Sequence, residues 1–235
     1  MSELVVVMTG GTGGLGTALA KRLEGEGARL AATYLIPEEA ERFEATIDLP
    51  EDHLLLRRVD ATDSDQLDAF MQETVETFGG FDALCCLVGG WAGGRDIDET
   101  DDVRFDRMID LNLRSSFYAL RAAIPHMKRR EAGRIVLVGS HAAKDNPPGQ
   151  AAFNVSKAGV AALAASAASE LAEYGITVNA VLPSVIDTPA TRQSLPYADY
   201  VHWPTPDEIA GVIEFLCRPE SSVVSGAAIP AKGRA

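Results

Sequence analysis

The sequence predicts a doubly wound α/β fold, a seven-stranded parallel sheet with helices on both faces, and three observations carry that reading. Short apolar runs alternate with longer helical patterns from one end of the chain to the other. The runs are apolar at successive positions, as in strands covered on both sides, and not only at every second one. The 235 residues, 46% of them hydrophobic, fill one such sheet and its two helix layers, with no internal repeat and no low-complexity linker. Residues 1–235 are therefore read as one domain.

In chain order, Leu4–Met8 is a buried-strand run and Leu15–Glu26 a helix ended by Gly27. Arg29–Tyr34 is the next strand, and a glutamate-rich helix with a solvated face follows from Pro37. His53–Val59 is a strand; Asp63–Phe78 is helical, opened by Thr62 and closed by Gly79-Gly80. Ala83–Val88 is the fourth strand, and Asp101–Lys128 carries a helix. Arg134–Val138 is a strand, Ala151–Tyr174 a long alanine-rich helix and Thr177–Leu182 a strand. The last helix starts at Thr205-Pro206-Asp207-Glu208, a capping box with proline at the first helical position, and Ser225–Ala231 supplies the seventh strand. Gly89–Asp98, Lys144–Gly149 and Ser184–Pro204 remain as long loops at the carboxyl ends of strands, where ligands bind in open α/β sheets. Residues 184–204 are the expected substrate loop.

Composition narrows the partners. With 21 basic and 34 acidic side chains the formal charge is −13, which repels phosphate backbones and anionic lipid, so neither nucleic acid nor membrane is an expected partner. An anionic ligand then needs a local device to hold it. Three cysteines, Cys85, Cys86 and Cys217, all in apolar contexts, read as reduced core residues. No run reaches ~18 apolar residues and the amino terminus lacks a signal-peptide order, so a cytoplasmic protein is expected. No metal site is predicted.

The local device is Thr9-Gly10-Gly11-Thr12-Gly13-Gly14-Leu15-Gly16, which follows the first strand and opens the first helix. Glycine suits a turn at φ > 0 and lets backbone approach a pyrophosphate, while the first helical amides and the macrodipole attract its charge. Without a Lys-Ser/Thr end, this is not the phosphate loop of a nucleotide hydrolase. The strand–turn–helix context marks a Rossmann-type dinucleotide fold.

The TGxxxGxG spacing resembles the short-chain dehydrogenase/reductase family, over essentially the whole chain. The resemblance implies that Gly10, Thr12, Gly14, Leu15 and Gly16 hold the diphosphate. Asp60 and Ala61 stand where the family contacts adenine, and Val88-Gly89 ends Cys86-Leu87-Val88-Gly89, where relatives usually have Asn-Asn-Ala-Gly. Asn112 matches a helix-kinking asparagine that positions a water beside the lysine. Pro183-Ser184-Val185-Ile186-Asp187-Thr188 matches the segment that wraps the nicotinamide, here through Pro183, Ile186 and Thr188, with serine for the usual glycine. Two loops, Gly89-Gly90-Trp91-Ala92-Gly93-Gly94 and residues 182–206 with Asp187-Thr188-Pro189 and Trp203, also resemble the dihydropteridine reductases. That narrower likeness implies hydride delivery to a quinonoid dihydropterin.

The family's catalytic tyrosine precedes its lysine by four residues, one helical turn, so both share a face. Here Ser140 lies thirteen residues before position 153 and Lys157 four after it, but position 153 is Phe. Phe153 fills the space of a tyrosine without its ionisable hydroxyl. Ser140 and Lys157 still polarise a carbonyl and hold the nicotinamide ribose in this reading. Three explanations stand open: an engineered replacement in an active reductase, a natural variant whose proton comes from His141, Tyr197, Tyr200 or water, or a cofactor-binding sensor without turnover.

The end of the second strand usually selects the coenzyme, an acid taking the ribose hydroxyls of NAD and an arginine the 2′-phosphate of NADP. Thr33-Tyr34-Leu35-Ile36 offers neither, with Tyr34 in the contact position. The expected cofactor is NADP or NAD, with a slight lean to NADP because no acid bars it. The small residues of the alanine helix, Ala158, Ala161, Ala162, Ala164, Ala165, Ala167 and Ala168, allow close helix approach, and the family's interface implies a homodimer or homotetramer. The substrate is expected to be a small molecule.

Overall fold

Seven parallel strands form the sheet in the order β3-β2-β1-β4-β5-β6-β7. The computed structural model describes residues 3–233. Its first half contains β1 (Val5–Thr9), α1 (Gly14–Glu24), β2 (Arg29–Tyr34), α2 (Pro37–Thr46), β3 (Leu54–Arg58), α3 (Ser64–Phe78) and β4 (Ala83–Cys86). The second half has α4 (Asp102–Met108), a π-helical segment (Ile109–Arg114), α5 (Ser115–Arg130), β5 (Gly133–Val138) and α6 (Ala142–Asp145). It continues with α7 (Ala151–Leu171), β6 (Ile176–Pro183), α8 (Pro189–Ser194), α9 (Pro206–Leu216) and β7 (Ala228–Ala231).

Alternation along the strands feeds two cores. Val6 and Met8 of β1 pack with Leu19 and Leu23 of α1, Phe43 of α2 and Ile209 and Ile213 of α9. Val5 and Val7 face the other way, toward Phe70 and Met71 of α3, Leu120 of α5 and Val160 of α7. Both faces of the central strands are dry, which is why their sequences show no polar alternation. The direction of crossover reverses between β1 and β4, leaving a crevice over their carboxyl ends.

Several boundaries differ from the sequence reading. Asp63, not Thr62, caps α3, its carboxylate accepting from the amides of Asp65 and Gln66. The helix expected over Asp101–Lys128 is interrupted by the π segment, where one extra residue per turn swings Asn112 inward. The loops expected at 144–149 and 184–204 are partly helical, with α6 starting at Ala142 and α8 inside the second. The last strand begins at Ala228, three residues later than Ser225, whose hydroxyl instead accepts from the amide of Val178. The capping box forms as expected: Thr205 Oγ1 accepts from the Glu208 amide at 3.2 Å, and Glu208 Oε2 accepts from the Thr205 amide at 2.8 Å. Cys85, Cys86 and Cys217 are buried free thiols, the Cys86 thiol pushed up to about 12 by burial.

Candidate active site

The turn after β1 is held from the side by β2. Thr33 Oγ1 accepts from the Gly10 amide, and the Thr33 carbonyl from the Gly11 amide, both at 2.9 Å. Gly10 takes φ +69°, and a Cβ there would sit 2.9 Å from a methyl of Val88, so the loop after β4 lies directly on the turn. Gly13 caps α1 without any side-chain acceptor. The first amides of an α-helix have no intrahelical partner, so those of Gly14, Leu15 and Gly16 are left for a ligand. A Cβ on Gly14 would lie 3.3 Å from Thr188 Cγ2, which brings the segment after β6 over the helix start. Thr12 is buried beside this turn, its carbonyl accepting from the Thr17 hydroxyl. An uncapped helix start, crowded at Gly10, Gly11 and Gly16 where a Cβ would come within 3.0 Å of a neighbour, suits a dinucleotide diphosphate.

At the other end of the crevice, Asn112 and Lys157 converge on Gly89, where a Cβ would be 2.9 Å from Asn112 Oδ1 and 3.0 Å from Lys157 Nζ. Asn112 is fully buried; its Oδ1 accepts from the Gly90 amide at 2.9 Å, and its Nδ2 donates to the Gly90 carbonyl and to Ser156 Oγ. It therefore pins the loop after β4 and leaves the lysine a fixed wall. Lys157 is 5% exposed and donates to the Val138 carbonyl at 2.8 Å, and burial pulls its ammonium down from 10.5 to about 8. Ser140 follows the same strand end, where the backbone is clamped by Gly139 donating to Val181 and His141 donating to Pro183. Phe153, 9% exposed, packs with Met108, Ala152, Ala92 and Ala142. It lies one turn before Lys157 and against the residue two places after Ser140.

Because the folded protein holds Lys157 below its unfolded pKa, the unfolded chain binds more protons between about pH 8 and 10.5. The burial penalty on this ammonium is thus complete below pH 8 and is relieved as pH rises toward 10.5. The cofactor-free Lys157→Met variant is expected to gain stability over wild type most below pH 8, the difference narrowing at higher pH. Denaturant unfolding across that range measures it, and a pH-independent difference would contradict a buried, charged lysine.

The remaining expected site residues lie at the carboxyl ends of strands or in the segments that follow them. Asp60 Oδ1 accepts from the amide and hydroxyl of Thr62, and Ala61 is buried beside it. Tyr34 ends β2 directly beside Arg58. Pro183 is buried at the end of β6, Ser184 ties to the Lys232 carbonyl, and Ile186 and Thr188 are half-buried. Thr188 also caps α8, beside an Asp187–Arg192 ion pair. Among the candidate proton sources, Tyr197 is fully exposed, and Tyr200 stacks with Arg192 and Trp203. His141 Nε2 is engaged by Asp145 at 3.0 Å. None of the three has a hydrogen bond to Ser140 or Lys157 among the described residues. Trp91 is half-exposed and donates to Gln150 at 2.8 Å, tying the loop after β4 to the start of α7. Sequence reasoning missed two supporting residues: Thr33, which holds the turn, and Gln150, which holds Trp91.

A family model described as enoyl-(acyl carrier protein) reductase matches residues 10–233. The 3-oxoacyl-[acyl-carrier-protein] reductase MabA of Mycobacterium tuberculosis is 32% identical, covering 97% of this chain and 91% of its own length. Levodione reductase of Leifsonia aquatica is 28% identical over 99% of this chain and 94% of its own. The crystal structure of levodione reductase superposes with a TM-score of 0.90, covering 99% of this chain and 97% of that one. An NAD+-bound xylitol dehydrogenase, 27% identical, gives 0.89 with 98% of each chain covered.

Proposed function

This chain belongs to the short-chain dehydrogenase/reductase family and is an NAD(P)-dependent oxidoreductase, and on that footing we propose that it reduces a small ketone against Ser140. What supports this reading is an uncapped glycine-rich helix start under Thr188 together with a buried Lys157 beside Gly89. A reduced nicotinamide, when bound, supplies the hydride. The amides of Gly14, Leu15 and Gly16 hold the diphosphate, Asp60 and Ala61 border the adenine, and Pro183, Ile186 and Thr188 cover the nicotinamide end. Lys157 holds the ribose hydroxyls, since its ammonium keeps donors to spare after the bond to Val138. Ser140 donates to the substrate oxygen, Phe153 moves no proton, and the proton that converts the resulting alkoxide to the alcohol comes from water.

The names of the relatives favour a ketone over a dihydropterin, since one reduces a 3-oxoacyl group and another levodione. A quinonoid dihydropterin is the alternative substrate that the two loops suggest. Phe153 also favours a second reading, a cofactor-binding sensor that turns nothing over. Titration with NADPH and NADH by fluorescence, followed by consumption assays on a 3-oxoacyl thioester, a cyclic diketone and a quinonoid dihydropterin, separates these. The expected result is coenzyme binding with slow consumption on a ketone. Binding without consumption even in Phe153→Tyr would establish the sensor, and binding of neither coenzyme would sink both readings.

The oligomer is read as a homodimer or homotetramer through exposed Phe117 on α5 and Val155, Ala158 and Ala162 on α7, which light scattering tests as a mass above one subunit. By length and composition the stretch Ala151–Tyr174 resembles a membrane span, but α7 packs on β6 and buries Lys157. A cytoplasmic place for the protein rests on its reduced, buried thiols.

A further inference from the structure

The second strand ends without an arginine, yet its pairing with the third supplies one. In the parallel register Tyr34 stands opposite Arg58, and the Arg58 guanidinium donates from Nε to the Leu35 carbonyl at 3.3 Å. Its side chain is thereby laid across the carboxyl end of β2, where an adenosine ribose sits in dinucleotide folds. The neighbouring arginine shows that this is not shared by every cation on the strand. Arg57 points to the opposite face and is held by Glu73 through Nε at 2.9 Å and through a terminal nitrogen at 2.6 Å. Arg58 lies on the face of Leu54 and Leu56, which pack into the same core as α1, the helix that opens the diphosphate cradle.

The charge state of the two arginines also differs. Arg57 is neutralised by its glutamate, whereas no carboxylate reaches ion-pair distance of Arg58 among the described residues. Glu38 and Glu39 open the following helix but remain outside that distance. In a chain of formal charge −13, an exposed arginine left unpaired beside the coenzyme crevice is a cation in want of an anion. Its Nε is used by Leu35, which fixes the guanidinium plane, and the terminal nitrogens are free for a bidentate contact with a phosphate. An unphosphorylated ribose offers that fork only neutral hydroxyls.

We propose that Arg58 makes this site select NADP(H) over NAD(H) by pairing with the 2′-phosphate of the adenosine ribose. The proposal rests on the reading of the crevice as a nicotinamide-dinucleotide site and deepens it. Calorimetric titration of the full chain with NADPH and NADH, and with 2′,5′-ADP and 5′-AMP as adenosine-end probes, tests it without any turnover. NADPH is expected to bind at least about tenfold tighter than NADH, and 2′,5′-ADP tighter than 5′-AMP, the preference weakening with salt as a phosphate–guanidinium pair requires. Arg58→Gln is expected to bring the two coenzymes within about threefold by weakening NADPH alone, with Arg58→Lys intermediate, as expected for an exposed fork swapped for a point charge. The proposal fails if wild type binds NADH as tightly as NADPH, or if Arg58→Gln weakens both equally. Those outcomes leave the dinucleotide site standing. Failure of wild type to bind either coenzyme would remove the site and the proposal together.

Discussion

Replacing Phe153 by tyrosine is expected to raise kcat for ketone reduction by about 10²–10⁴-fold, the usual contribution of a positioned general acid. The site is prepared for that hydroxyl. Position 153 shares a helix face with Lys157, and its ring already sits 9% exposed between Met108, Ala92 and Ala142. A phenol added there comes under the field of a buried ammonium, which favours the phenolate and lowers the tyrosine pKa toward the working range. Coenzyme affinity should not change, because the new oxygen adds nothing to the diphosphate seat. The gain should therefore appear in kcat, with a new limb in the pH–rate profile. Equal turnover in the two proteins would mean that the proton arrives by another route or that the substrate does not need it.

Gly16→Ala is expected to weaken coenzyme binding by about 100-fold or more. A Cβ at this position would lie 2.3 Å from the Gly11 carbonyl oxygen and 2.6 Å from its carbon. Both are backbone atoms, so no rotamer change relieves the clash and the turn itself must move away from α1. That displaces the amides of Gly14, Leu15 and Gly16 together. Losing two charge-assisted hydrogen bonds at about 1.5 kcal/mol each corresponds to roughly 100-fold in Kd. The strain should also lower stability by about 1–3 kcal/mol, as overpacking typically does. Coenzyme titration with parallel denaturant unfolding separates the two effects. A variant that folds and binds normally would remove the helix start from the binding site.

Much of the fold and part of the site are legible in local patterns of residues. The uniform apolarity of Val5–Met8 and Ala83–Cys86 identifies strands dry on both faces, and the glycines before Leu15 locate the turn that opens the first helix. Strand burial and helix-start geometry both leave their mark within a few residues. The interruption at Asn112 is less visible as a π segment, because its cause is the Gly90 backbone 22 residues away along the chain. The same applies to Thr33, whose hydroxyl reads as a strand residue until Gly10 is brought beside it. Helices inside the long loops, α6 and α8, are too short to show a period.

Residue order alone is enough for the fold class, the glycine-rich turn, the register of Ser140, position 153 and Lys157, and the missing hydroxyl at Phe153. These follow from spacing along one strand, one turn or one helix. The burial of Lys157 against Gly89 and the closure of Thr188 over Gly14 emerge only when the chain is folded. So does the placing of Arg58 across the end of the second strand. Each of these joins residues from different strand ends. Strand order, which no local pattern encodes, sets which ends become neighbours.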